Sequence, residues 1–380
     1  MKAWRVLIID DDADSARLLG IALRDHDIAG DATKPEVIEC ADFSKGVALL
    51  EDQHFDLLIL DLRLGSHEGE PAPEAGIEAL DQISKRQFLP VIFFTGLPHK
   101  VPEERLSALT RVVEKSDTYD PLFAEIRLVF DTHLPAVNRA LGDHVREVQR
   151  SYMWDFVLKH WDDFGTSPDH AGLAYFLARR LAISLNSSNA ERLVEAVGGD
   201  PGVAGISDGK VHVHRMYVMP PIEGDPALLA GALVHGTVKG EEGHFVLLTP
   251  SCDMYQNKAE WIVLAKCEPL LKREELTKRK TLEDGKKEKL SGQKRGALQA
   301  VLDNKLARHF FLPAVFELPA LIVDFQHLVG CTSEELGSMK HVGSLDSPFA
   351  EALVARFTHY FGRIGTPDID TIAILNALDA

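Results

Sequence analysis

The chain is poor in cysteine. Its 380 residues contain four, Cys40, Cys252, Cys267 and Cys331, and no two form a CxxC pair, so a zinc ribbon is not expected. Long apolar runs are missing as well. The first run, Val6–Ile9, is followed at once by three aspartates, too short for a signal peptide or a membrane span. The expectation is a cytoplasmic protein with reduced thiols and no membrane partner. Positive charge is not in excess either. The formal net charge of -17 argues against a surface that coats nucleic acid.

What is present suits a globular protein of two or three domains: 45% hydrophobic and 26% charged residues. The acid is uneven. Residues 1–133 hold 14 Lys+Arg and 26 Asp+Glu, a balance of -12, which leaves -5 for the remainder. An anion is therefore better received by the second part.

Residues 5–130 alternate short apolar runs with amphipathic segments. The runs Val6–Ile9, Val37–Cys40, Leu57–Leu60, Val91–Phe94 and Arg111–Val113 fit buried strands of a parallel sheet. Helical patterns lie between them at Ser15–Arg24, Ser44–Glu51, Gly76–Lys85, Glu103–Leu109 and Pro121–Phe130. In the first, Leu18, Leu19, Ala22 and Leu23 are expected on one face. Five such repeats predict a doubly wound α/β fold with its site at the carboxyl ends of the strands. Those ends carry Asp10 and Asp11, then Asp61, Thr95 and Lys115. Three converging carboxylates repel one another unless a cation lies among them, and Mg2+ suits hard oxygen ligands. A hydroxyl and an ammonium opposite can take phosphoryl oxygens, so the set suits acyl-phosphate chemistry on a carboxylate.

The segments VLIIDDD (6–12), LLILDLRLG (57–65), VIFFTG (91–96) and VVEKSD (112–117) resemble the receiver domains of two-component response regulators. The resemblance implies a five-stranded flavodoxin-like domain over residues 1–133. It implies that Asp61 takes phosphate from a histidine kinase or phosphotransfer protein. It implies that Asp10, Asp11, Asp61 and the carbonyl of Arg63 hold Mg2+, and that Thr95 and Lys115 contact the phosphoryl group. The chain departs from the pattern in three places. Val112 stands where an aromatic switch residue is usual. Ser116 replaces the usual proline after the lysine, which removes the main support for a cis peptide. A loop of acids and prolines, 66–76, adds roughly eight residues beside Asp61. It suits a mobile flap as well as a tolerated insertion.

Residues 134–200 read as a helical connector. Val137, Leu141, Val145, Val148, Tyr152 and Phe156 make a stripe along one long helix, with Pro135 in its first turn. The helix, residues 136–161, suits a homodimer seam or packing onto its own domain. Further helices are expected over Ala171–Leu185 and Glu191–Val197.

Residues 201–380 read as an α+β output domain: a small β-barrel or sandwich, then terminal helices. Val211, Val213 and Arg215 alternate with His212, His214 and Met216. Strands are expected at Leu233–Val238, Phe245–Leu248 and Trp261–Ala265. A loop gathers Thr249, Ser251, Cys252 and Asp253. Cys252 and Asp253, with His235 or His244 as base, are the candidates for output chemistry; the alternative is a capped turn. His212 and His214 make a metal pair without a third ligand. Residues 272–296 carry ten Lys+Arg and five Asp+Glu, a solvated segment or a nucleic-acid phosphate contact. The rest is read as helical, including a helix begun by Ser347 and Pro348 with Phe349, Leu353, Phe357 and Phe361 on its face. No helix-turn-helix with a basic recognition helix is present. Three readings of this half stay open: a region switched by the receiver, a receiver-gated enzyme acting through the 249–253 loop, and an adaptor without catalysis.

Overall fold

A computed structural model of the chain describes residues 3–62, 80–85, 87–161, 170–185, 194, 206–207, 210–221, 228–278, 289–363 and 369–378. The chain forms two compact units, Met1–Gly205 and Ile206–Ala380.

The first unit is built on five parallel strands: β1 (Arg5–Ile9), β2 (Glu36–Cys40), β3 (Leu57–Leu60), β4 (Val91–Thr95) and β5 (Thr110–Glu114), in the order β2-β1-β3-β4-β5. The uninterrupted apolar runs are explained by burial on both faces, as all four residues of β3 and all five of β4 are buried. One face packs on α1 (Ala13–Arg24) and α3 (Asp120–Asp131). The other carries α2 (Phe43–Asp52), whose Leu50 joins a core with Leu7, Ile9, Leu58, Leu60 and Phe93. The buried face of α1 is Ala16, Leu19, Gly20 and Leu23, while Leu18 points outward and is exposed. Asp12 and Asp42 start α1 and α2 by accepting backbone N–H groups at the helix ends.

One expected element is not an α-helix. Before β5 the chain makes short 3-10 turns, Pro98–Lys100 and Glu103–Arg105. The segment 103–109 offers too few apolar residues for a buried stripe. Between β3 and β4, residues 80–84 are helical and bury Leu80 and Ile83. The 66–76 loop, Arg63 and the start of that helix lie outside the described residues.

After the sheet, α4 (Leu134–Ser151) has Pro135 in its first turn and runs into a π-helical segment, Tyr152–Val157. The expected single long helix thus changes register at Tyr152, since a π turn rotates the following face. α5 (His170–Ser184) returns along α4, with His144 Nε2 2.9 Å from Ser184 Oγ. The helix expected at 191–197 and residues 162–169 lie outside the described residues, apart from helical Val194.

The second unit contains a seven-stranded sheet. In chain order its strands are β8 (Tyr217–Val218), β9 (Ala232–Val238), β10 (Glu241–Leu247), β11 (Ile262–Pro269), β12 (His309–Leu312), β13 (Leu321–Cys331) and β14 (Lys340–Leu345), preceded by the two-residue strands β6 (Ile206–Ser207) and β7 (Lys210–Val211). The order is β12-β13-β11-β10-β9-β14-β8, antiparallel at every pairing. Residues 309–312 and 321–331, read from sequence as helical, are strands. Their apolar residues are contiguous, so periodicity alone does not distinguish strand from helix, and tertiary pairing decides. Val213–Met216 is a 3-10 turn, not a strand.

Helices flank this sheet: α6 (Ser251–Tyr255), α7 (Glu274–Thr277), α8 (Gly292–Leu302), α9 (Ser333–Gly337), α10 (Phe349–Phe361) and α11 (Thr371–Leu378). In α10 Leu353 is fully buried, Phe357 packs on Phe325 and Phe361 is exposed. Pro348, not Ser347, is its N-cap, and no side chain caps it. Among the described residues the basic segment contributes α7 and the start of α8; residues 279–288 fall outside them.

Candidate active site at the rim of the parallel sheet

The sheet order reverses between β1 and β3, which extend in opposite directions from their shared boundary. That switch point opens a crevice at the carboxyl ends of the strands. β1 ends at Asp10 and β3 at Asp61, so the two carboxylates come from adjacent strands and meet there. The main chain fixes them. The N–H of Asp10 donates to the carbonyl of Cys40, that of Asp61 to Ile9, and that of Lys115 to Thr95. Each rim residue thus continues the hydrogen-bond ladder one step past its strand.

The side chains converge. Lys115 Nζ donates to Asp10 Oδ2 at 2.7 Å and to Asp61 Oδ2 at 2.8 Å. Asp10 and Asp61 are buried and Asp11 is exposed. Among the described residues, the acidic group able to close on one ion is Asp10, Asp11 and Asp61, whose nearest ligand atoms lie within 4.8 Å of one another. Burial pushes the Asp10 carboxyl above its usual range, opposed by the hydrogen bond and charge of Lys115. Burial acts to lower the Lys115 ammonium, but its bonds to Asp10 and Asp61 outweigh this and hold it above its usual value. Thr95 is fully buried; its Oγ1 accepts the N–H of Leu97 at 3.2 Å, leaving the hydroxyl hydrogen free to donate.

Two observations test whether this rim fits a divalent ion. Asp61 Oδ1 is buried with no hydrogen-bond partner among the described residues, and an orphaned carboxylate oxygen is costly unless a donor or cation meets it. Three carboxylates against one ammonium also leave two negative charges. An all-oxygen donor set with that excess suits Mg2+. Asp12, the third acid of the run, is occupied otherwise. Hydrogen bonds from Ser15 and Asp14 hold its carboxyl below the usual range, so it serves α1.

Val112 is half-buried against the core beneath α2, and the Lys115–Ser116 peptide is trans. In the second unit, Cys252 is exposed on α6, and its Sγ lies 3.6 Å from Asp253 Oδ1. No histidine is among its hydrogen-bond partners in the described residues. His235 and His244 face each other on β9 and β10, three positions along β9 from Ala232, while Ser251 beside Cys252 binds Ala230. The structure therefore gathers the five rim residues in one place and leaves the output candidates apart. His212 and His214 lie 4.5 Å apart, ring centre to ring centre, on the 3-10 turn.

Sequence reasoning did not find Asp56 and Arg139. Asp56 stands just before β3, almost wholly buried, and pairs with Arg139 of α4. The two are far apart in sequence, and nothing in the local pattern links them.

Residues 6–113 match the family of response regulator receiver domains. This segment is a receiver domain. No curated protein matches the chain. Among solved structures, the chain is similar to the response regulator TrrA of Thermotoga maritima, solved in complex with Mg2+ and BeF, at 22% identity over 33% of this chain and 98% of that chain, TM-score 0.26. It is similar to a CheY-like receiver domain protein of Methanospirillum hungatei JF-1, at 25% identity over 34% of this chain and 96% of that chain, TM-score 0.26. It is also similar to the chemotaxis response regulator CheY4 of Vibrio cholerae, at 20% identity over 34% of this chain and 99% of that chain, TM-score 0.26. The family match covers residues 6–113 and ends before α4. Among the described residues no helix is long and apolar enough to cross a membrane.

Proposed function

We propose that the chain is a phosphorylation-controlled response regulator whose Asp61 accepts a phosphoryl group from a histidine kinase or a phosphotransfer protein. The observation that supports this most is Lys115 Nζ bridging Asp10 and Asp61 beside the unpartnered Asp61 Oδ1. The Asp61 oxygen attacks phosphorus of a phosphohistidine. A P–O bond to Asp61 forms as the P–N bond breaks, and the electron pair leaves with the donor imidazole. Lys115 shifts from the carboxylates to a phosphoryl oxygen, and the Thr95 hydroxyl donates to another. Asp10, Asp11 and Asp61, with the carbonyl of Arg63, would hold Mg2+, which when bound would neutralise the carboxylates and the incoming phosphoryl oxygens. Phosphorylation then changes what the C-terminal unit presents to its partners.

The regulator acts as a homodimer along α4, because Val137 and Leu141 of its apolar stripe are exposed, at 44% and 41%.

The direct test offers radiolabelled acetyl phosphate with Mg2+. Label is expected on the wild-type chain, and is lost in Asp61→Asn and on chelation. Equal labelling of Asp61→Asn overturns the proposal.

A further inference from the structure

The second unit holds a cavity of about 670 Å3 lined by His235, His244, Lys340 and the turn Val315–Leu318. Strand register explains why the basic groups gather. Lys340 of β14 stands opposite His235 of β9, which stands opposite His244 of β10. Directly opposed residues on antiparallel strands share a face, about 5 Å apart. The two imidazole centres are 4.5 Å apart. Lys340 has no carboxylate partner among the described residues, and the row ends at buried Cys267 of β11. Burial lowers the basicity of His244, and the neighbouring His235 lowers it further. The Lys340 ammonium supplies positive charge and the two imidazoles beside it supply ring N–H donors, a set able to hold an anionic oxygen. The walls are otherwise apolar, with Met219, Pro221, Leu318 and Val342.

The lining carries a second, independent feature. Val315 and Leu318 exchange both backbone hydrogen bonds, at 3.0 and 2.9 Å, so Phe316 and Glu317 are the two central residues of a tight turn. Phe316 has φ +47°, a conformation normally left to glycine at this position of such turns. It is also 80% exposed, with its ring nearly parallel to His214 at 5.6 Å. A bulky aromatic in a glycine conformation, displayed to solvent on a cavity wall, is strain without a packing return, and such strain collects where ligands bind.

We propose that this cavity binds a small aromatic anion, its acid group held by Lys340, His235 and His244 and its ring covered by Phe316. The apolar walls take the body of the ligand, and Glu317 at the rim repels a second acidic group. Binding here gives the C-terminal unit a ligand of its own, separate from the chemistry at Asp61.

The test is calorimetry on the full chain with 2-naphthyl phosphate, compared with 2-naphthol, inorganic phosphate and zinc chloride. 2-Naphthyl phosphate is expected to bind at least about tenfold more tightly than either half alone. His235→Gln with His244→Gln removes the advantage over naphthol. Phe316→Gly weakens binding about tenfold while raising the melting temperature, because glycine relieves the turn. A purely structural Phe316 would instead lower the melting temperature on replacement, and that result overturns its role. Equal binding of naphthol, unchanged affinity in the histidine variant, or binding of zinc without binding of 2-naphthyl phosphate overturns the site.

Discussion

The guanidinium of Arg139 lies 3.6 Å over the ring of Trp4 and ion-pairs with Asp56, whose side chain is almost completely buried. Asp56 leads into β3, the strand that ends at Asp61, and Arg139 belongs to α4. Asp56 also accepts the backbone N–H of Arg5 at 2.8 Å. α4 is thus tied to the base of the strand that leads to Asp61.

Breaking this tie leaves a buried carboxylate without its main cation. Arg139→Ala is expected to lower receiver stability by about 3 kcal/mol, read as a fall in the first thermal transition. Labelling of Asp61 by acetyl phosphate should persist, since the Arg139 contacts described lie at Trp4, Ala3 and Asp56.

The same pair has a pH signature. Burial acts to raise the Asp56 carboxyl, but its bonds to His54, Arg139 and the Arg5 amide prevail and hold it below the usual range. A lowered folded-state value gives stability that is present above the unfolded value, about 3.9, and is lost as pH falls through the lower folded one. Acid unfolding followed by circular dichroism should therefore steepen below pH about 4 in the wild type and flatten in Asp56→Asn.

At the rim, charge balance predicts the response to Mg2+. The ion should raise the receiver melting temperature at neutral pH, by the equivalent of about 2.7 kcal/mol at a hundredfold excess over its dissociation constant. Asp10→Asn should melt higher than wild type without Mg2+ and gain little from it. A wild-type response retained in this variant would place the ion elsewhere.

Lys115→Met removes the ammonium between Asp10 and Asp61. The expected loss, about 3 kcal/mol without metal, should shrink when Mg2+ is added. Melting curves with and without the ion give both numbers.

Leu141→Glu places a charge in the exposed stripe of α4. Light scattering should show a shift from dimer to monomer with the receiver transition unchanged. A wild-type chain that is already monomeric excludes the seam.

The sheet was legible because β1, β3 and β4 are dense apolar runs and the rim residues stand at or one step past strand ends. Asp10, Asp61, Thr95 and Lys115 are found by counting to the end of a strand. The Glu103–Leu109 helix was misread because its polar spacing mimics a helical turn while its missing apolar stripe prevents a buried one. The β12–β13 pair was misread because Phe310, Phe311 and Leu312 show no alternation. Arg139 and Asp56, or Lys340 and His235, meet only through the fold, so no local pattern announces them.

The rim amides of Asp10, Asp61 and Lys115 are spoken for by the neighbouring strands before any partner arrives. The arrangement of the rim is therefore templated by the scaffold itself. Under the proposed phosphotransfer, a donor protein would only have to deliver its phosphoryl group to a geometry already in place, and what it recognises on the surface would be free to vary without disturbing the chemistry.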